Sequence, residues 1–249
     1  AAGGSPNGCG STGAPGRTLI KLSATNPAVV VDDIYTVNGE LLLARSTPLD
    51  EKTVFILQNK ALARPLASSI QLEAVITPSD LLQHLLGTIR STEYFHALAE
   101  QKHPLSSLEP VCAKLSGLPL LQQYLTVMAA QMNDLYQRTL CVSLWALYIA
   151  QEMRLPAAES GEIFWAAIAH DIGMLHIDPK ILHKSEKLTA ADWLHIQSHV
   201  EIARSILMNV PGLSAEIVTA VSEHHERCDG TGYPLAKVES ELSIAGQVL

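Results

Sequence analysis

The chain has 249 residues, 47% of them hydrophobic, and a formal net charge of −8 from 25 acidic and 17 basic side chains. A chain of that length buries a substantial core, while the acidic balance excludes a broad footprint for a nucleic-acid polymer or a membrane surface and leaves room only for a local basic pocket around a small anion. The longest apolar run, LCVSLWALYIA from Leu140 to Ala150, falls short of the roughly 20 residues that span a bilayer.

Residues 1–17, AAGGSPNGCGSTGAPGR, carry almost no large apolar side chains and read as a flexible linker or tag. Residues 18–74 read as a small α+β module. In PAVVVDDIYTVNGELLLARSTPL two aliphatic runs flank Asn38-Gly39, a dipeptide that accepts the positive φ of a hairpin turn. DEKTVFILQNKAL then reads as a short helix with Asp50 and Glu51 at its positive end. From 75 to 249 the pattern is helical. Thr77 caps a helix with Pro78 in its first turn, and Leu81, Leu82, Leu85, Leu86 and Ile89 continue one apolar stripe. The longest such pattern runs from Leu118 to Met153. Pro156 opens a helix through Ile168 to His170, Thr189 caps one running to about Met208, and Ser214 caps one reaching His225. The fold expected is mainly α, a helical bundle whose polar site is built from inward-pointing side chains of several helices.

Three histidine-bearing stretches stand out. His170-Asp171 ends the apolar helix GEIFWAAIA and puts an imidazole and a two-oxygen carboxylate at one point. His199 lies in ADWLHIQSHVEIARSIL, with His195 one turn earlier on roughly the same face. His224-His225 ends AEIVTAVSEHHER, and successive helical residues point about 100° apart, so one would ligate an ion while the other supports it or serves a neighbouring ion. Cys9, Cys112, Cys141 and Cys228 show no CxxC spacing; Cys112 and Cys141 sit in apolar helical contexts as reduced thiols. No basic start with an apolar core opens the chain, and a cytoplasmic protein is expected.

In their order, HDIGMLHIDPKIL at 170–182, the capped helix with His199, and HHERCDGTGYP at 224–234 resemble the HD-GYP family of HD-domain metal-dependent phosphohydrolases. The resemblance covers roughly residues 120–249. It implies a helical domain that holds iron or manganese, with zinc the alternative, and hydrolyses cyclic di-GMP to pGpG or GMP. His170, Asp171, His199, His224 and His225 would be the metal ligands, with Asp171 as bridge and Asp171 and His170 as catalytic groups. Arg138, Arg227, Asp229, Gly232 and Tyr233 would face the substrate, the glycines letting backbone approach a flat ligand and Tyr233 stacking or hydrogen-bonding. A diguanylate cyclase (GGDEF) domain or another signalling protein is the partner implied, and the chain is compatible with a homodimer.

Three departures from the family pattern bear on activity. Arg138 stands where the family places a further ligand histidine, and a guanidinium cannot ligate a metal. Asp134 lies one turn before it, at the spacing of an i,i+4 ion pair. Met174 stands where the family has a lysine, and His176, read as an exposed loop residue, replaces a glycine. A late aspartate ligand is expected beyond Leu249, so the domain is read as truncated at its C-terminus. The better preserved set is Asp171, His199 and the His224-His225 pair, and one or two ions are expected rather than three. The competing expectation is a degenerate domain that binds a nucleotide or a partner protein without turnover.

Overall fold

The computed structural model describes residues 28–58, 60–64, 69–72, 74–100 and 108–249. The expected linker at 1–17 and the first part of the 18–74 module lie outside them. The chain divides into two compact units, Ala1–Val75 and Ile76–Leu249.

In the first unit, β1 (Ala28–Val30) pairs antiparallel with β4 (Ile70–Leu72), with Ala28 opposite Leu72 and Val30 opposite Ile70. All four side chains are buried, as the period-2 geometry of a strand requires of residues on one face. β2 (Ile34–Tyr35) and β3 (Leu41–Leu43) form the hairpin around Asn38-Gly39. Gly39 supplies the positive φ, 82°, and its N–H donates to the Thr36 carbonyl at 2.9 Å. The helix after it, α1, spans Glu51–Gln58, and the Asp50 carboxylate accepts from the Thr53 N–H at 2.8 Å as its cap.

The second unit is helical. α2 (Pro78–Ser91) begins with a reciprocal capping box between Thr77 and Asp80, and Leu81, Leu85 and Ile89 form its buried stripe. α3 (Glu93–Glu100) and α4 (Leu108–Ala113) follow. The long helical pattern beginning at Leu118 is two helices, α5 (Pro119–Gln131) and α6 (Asn133–Glu152), because Met132 leaves helical geometry at φ −135°, ψ 55°. α7 (Ala157–Ala169) is the central element: Ile163 to Ala169 are each at most 2% exposed. An apolar run without a polar face is what a helix covered on all sides requires. Burial of Phe164 or Trp165 contributes roughly 1.5–3 kcal/mol each, and the Trp165 Nε1–H is satisfied by the Val111 carbonyl at 3.2 Å.

The chain then turns through a 3₁₀ segment, Ile172–His176, and the short α8 (Pro179–Leu182). The helix expected from Thr189 to about Met208 is interrupted at Ser198, giving α9 (Ala190–Gln197), capped by a Thr189–Asp192 box, and α10 (His199–Leu207). α11 spans Ala215–Glu223 and ends before the histidine pair. Ser214 occupies its N-cap position, but the hydroxyl makes no cap bond. The final helix, α12 (Ile244–Val248), packs on α7 and α11. Among the described residues, no helix is long and apolar enough to cross a membrane. Cys112 and Cys141 are free thiols whose pKa burial raises, that of Cys112 to about 11.

Candidate metal centre

His170 and His224 each follow directly on the end of a helix and His199 stands two residues beyond the end of α9, and the same local bond orients all three. At a helix C-terminus the last carbonyls lack intrahelical partners. The Nδ1–H of His170 donates to the Ala167 carbonyl at 2.7 Å, that of His199 to Ile196 at 2.6 Å, and that of His224 to Val221 at 2.6 Å. A carbonyl can only accept, so the proton sits on Nδ1 and Nε2 of each ring is turned toward the centre. Carbonyl-fixed imidazoles of this kind are the usual state of a metal-binding histidine.

Asp171 stands among these nitrogens. Its Oδ2 lies 3.1 Å from His170 Nε2, while its Oδ1 lies 3.3 Å from His199 Nε2 and 3.9 Å from His224 Nε2. His199 Nε2 and His224 Nε2 are 3.2 Å apart. Asp171, His199, His224 and His225 can each present one donor atom such that all lie within 4.8 Å of one another. A metal with bonds of about 2.0–2.2 Å separates adjacent donors by roughly 3.0–3.4 Å, so the residues present fit an ion with little movement. Three imidazoles and a carboxylate are a donor set for iron, manganese or zinc. His170 stands on the opposite oxygen of Asp171, outside that four-donor group.

The electrostatics follow from burial and crowding. Burial, then the charge of His170, pushes His224 down to about 3; burial, then His199, pushes His225 down to about 4. Burial works against a charged His170, but the hydrogen bond and charge of Asp171 outweigh it and raise its pKa, with the charge of Arg138 opposing. Burial would likewise raise Asp171, yet the hydrogen bond and charge of His170, together with His199 and His224, hold it well below the ordinary carboxylate range. The site therefore keeps an anionic Asp171 beside neutral His224 and His225 at neutral pH, the form in which these groups bind a metal.

The histidine pair escapes the 100° constraint of a continuous helix because α11 stops at Glu223. His224 and His225 ride on a turn closed by the Glu226 N–H donating to the Glu223 carbonyl at 2.7 Å. Tyr233 lies parallel to His225, ring centroids 4.7 Å apart at 22°, and burial raises its phenol to about 12. The loop between is tied to itself: Asp229 Oδ1 accepts from the Thr231 N–H at 3.0 Å, and Arg227 Nε donates to Thr231 Oγ1 at 2.9 Å. A Cβ on Gly232 would strike the backbone of Glu226 and Arg227, so this glycine serves the close approach of the loop to its own chain.

Other expectations are corrected. His195 does not join His199: the break at Ser198 separates them, and His195 Nε2 accepts from the Asp178 N–H at 3.3 Å. His176 is half-buried in the 3₁₀ segment, against Tyr124 at 6.1 Å, rather than exposed in a loop. Arg138 is exposed on α6 and acts electrostatically on His170, while Met174 packs against the core.

Three contributors were not recognised from sequence. A Cβ on Gly173 would strike the His199 carbonyl, so this glycine lets the segment after Asp171 lie against α10. Glu226 grips the far side of the loop, accepting from Leu235 N at 2.6 Å and Lys237 N at 2.9 Å. Glu223, 2% exposed, takes Lys237 Nζ at 2.6 Å. Carboxylates on both sides of a histidine pair were the available signal; their partners lie 9 to 20 residues away.

Residues 119–249 match the family described as HD domain. The chain is similar to a 3′3′-cGAMP-specific phosphodiesterase of Vibrio cholerae, 28% identical over 181 residues, covering 68% of this chain and 40% of that protein. It is also similar to a cyclic di-GMP phosphodiesterase of Pseudomonas aeruginosa, 30% identical over 113 residues, 45% of this chain and 27% of that protein. A cyclic di-GMP phosphodiesterase of Thermotoga maritima is 38% identical over 103 residues, 41% of this chain and 28% of that protein. The matched segments thus span less than half the length of each of these relatives.

Proposed function

Since the chain belongs to the HD domain family and is of the HD-GYP type, we propose that it is a metal-dependent phosphodiesterase that hydrolyses cyclic di-GMP to pGpG or GMP in bacterial signalling. The observation that carries this reading is the convergence of Asp171, His199, His224 and His225 on one point, with the His199 and His224 imidazoles pre-oriented by helix-end carbonyls. These four residues would hold an iron or manganese ion, with zinc the alternative, and His170 on the other oxygen of Asp171 leaves room for a second. An ion held there would supply Lewis acidity toward the phosphoryl oxygens and a nucleophile from water at neutral pH.

The chain's own residues do the rest. Asp171 offers an oxygen to each side of the site, and His170 holds that carboxylate in place. Tyr233, a neutral phenol stacked on His225, provides a flat surface and a hydrogen-bonding hydroxyl at the edge of the centre. Arg138 and Arg227 are exposed cations suited to a phosphodiester, with Asp229 and Gly232 shaping the loop that carries Arg227. A diguanylate cyclase domain as partner and a homodimer belong to the same proposal.

A second reading, binding without turnover, is favoured by Arg138, whose fixed charge acts on His170 and opposes an ion on that side. Incubation of the manganese- or iron-loaded chain with cyclic di-GMP, and separately with 3′3′-cGAMP, decides between them. Linear product formed by wild type and not by Asp171→Ala supports hydrolysis; nucleotide bound but recovered intact supports the second reading.

A further inference from the structure

We infer that Glu223 is a positioning residue for the metal centre, anchoring the turn that carries His224 and His225 to the chain that returns behind it. The inference rests on the reading of the histidine cluster as a metal centre. Glu223 is the last residue of α11, and its side chain is 2% exposed. Oε1 accepts from Lys237 Nζ at 2.6 Å. Oε2 accepts from the Ser243 N–H at 2.9 Å and from its hydroxyl at 2.6 Å. The Ser243 hydroxyl in turn accepts from the Gly246 N–H at 3.0 Å, capping α12. A Cβ on Gly246 would strike the Glu223 carboxylate, so α12 approaches it as closely as a glycine allows.

Three links join this anchor to the ligands. The Glu223 carbonyl closes the turn that displays both histidines. Lys237, held by its ammonium on Glu223, is also held by its backbone N–H on Glu226, immediately after His225. Tyr233, on the loop between those two grips, stacks on His225 and donates its N–H to the His225 carbonyl at 3.1 Å. Removing the carboxylate leaves an ammonium and a serine without their partner and releases the turn on its buried side. His224 then keeps its bond to Val221 and His225 its stack on Tyr233, but the turn that carries them loses the anchor behind it.

The test is manganese affinity of the full chain by competition with a chromophoric chelator, alongside the melting temperature of the metal-free protein. Glu223→Ala is expected to weaken manganese binding about 10-fold or more, the scale of losing a group that orients a ligand. Glu223→Gln and Lys237→Met keep the acceptor for Ser243 and lose only the ammonium contact, so both should fall between wild type and Glu223→Ala; they also decide the matter if the alanine variant does not fold. Equal competition constants in all four proteins, whatever their melting temperatures, would reduce Glu223 to a fold-stabilising residue and overturn the inference. A wild type that binds no manganese would instead overturn the functional proposal beneath it.

Discussion

The Nε2 atoms of His199 and His224 stand 3.2 Å apart, while the Nδ1 of each ring lies 2.6 Å from a carbonyl three residues earlier in its own chain. With both protons committed to those carbonyls, two lone pairs face each other across the site, beside the Oδ1 of an ionised Asp171. Such an arrangement is relieved by a cation between the donors, and a metal ion serves all of them at once.

Metal binding should therefore stabilise the fold. Manganese at about 100 times its Kd adds about 2.7 kcal/mol, which for a unit of this size corresponds to roughly 5–10 °C in melting temperature. His199→Ala removes a central donor and should abolish that increment; thermal denaturation with and without manganese reads both.

Gly173→Ala should harm the centre without touching a ligand. Its Cβ would strike the His199 carbonyl, so the segment after Asp171 or the start of α10 must shift. Overpacking of this kind typically costs about 1–3 kcal/mol. Urea denaturation should show that loss, and metal affinity should fall with it because Asp171 and His199 move apart.

The helical fold and the three histidine stretches were legible because hydrophobic period, caps and the spacing of chemical groups are local properties of the chain. The breaks at Met132 and Ser198 were not, since the apolar pattern runs through both, and neither residue is a glycine or a proline. The Ser198 break carried the site with it: a continuous helix keeps His195 beside His199, whereas at the break the His199 ring turns onto the Ile196 carbonyl. The same reasoning misplaced the constraint on His224-His225, which sit on a turn rather than in a helix. Glu223 was illegible for another reason: its partners Lys237 and Ser243 are 14 and 20 residues away, and only the return of the loop brings them to it.

Tyr233→Ala should weaken binding of cyclic di-GMP while leaving bound metal close to wild type, because the ring stacks on His225 rather than standing among the donor atoms. Tyr233→Phe keeps the ring and loses the hydroxyl, so its affinity should lie between the two. Base–aromatic stacking is worth about 1–3 kcal/mol, or roughly 5- to 150-fold in Kd. Calorimetry on the three proteins measures it.

Glu223 also sets a pH dependence. Burial alone would raise its pKa, but the hydrogen bonds from Lys237 and Ser243 and the charge of Lys237 lower it below the ordinary 4.5. A carboxyl depressed on folding contributes stability that is fully present above its unfolded pKa and is lost as pH falls through the folded value. Wild type should exceed Glu223→Gln by about 1–3 kcal/mol near neutral pH. That difference should shrink as the pH is lowered below about 4.5, a trend that urea titrations across the acid range will show.

If Asp171 and the histidines of three helix ends form a metal centre, elemental analysis of protein purified without chelator and reconstituted with manganese or iron must find the ion. One or two ions per chain are predicted for wild type, with little or none in a His199→Ala, His224→Ala double variant that retains its helical content. A metal-free wild type, or a double variant holding as much metal as wild type, would contradict it.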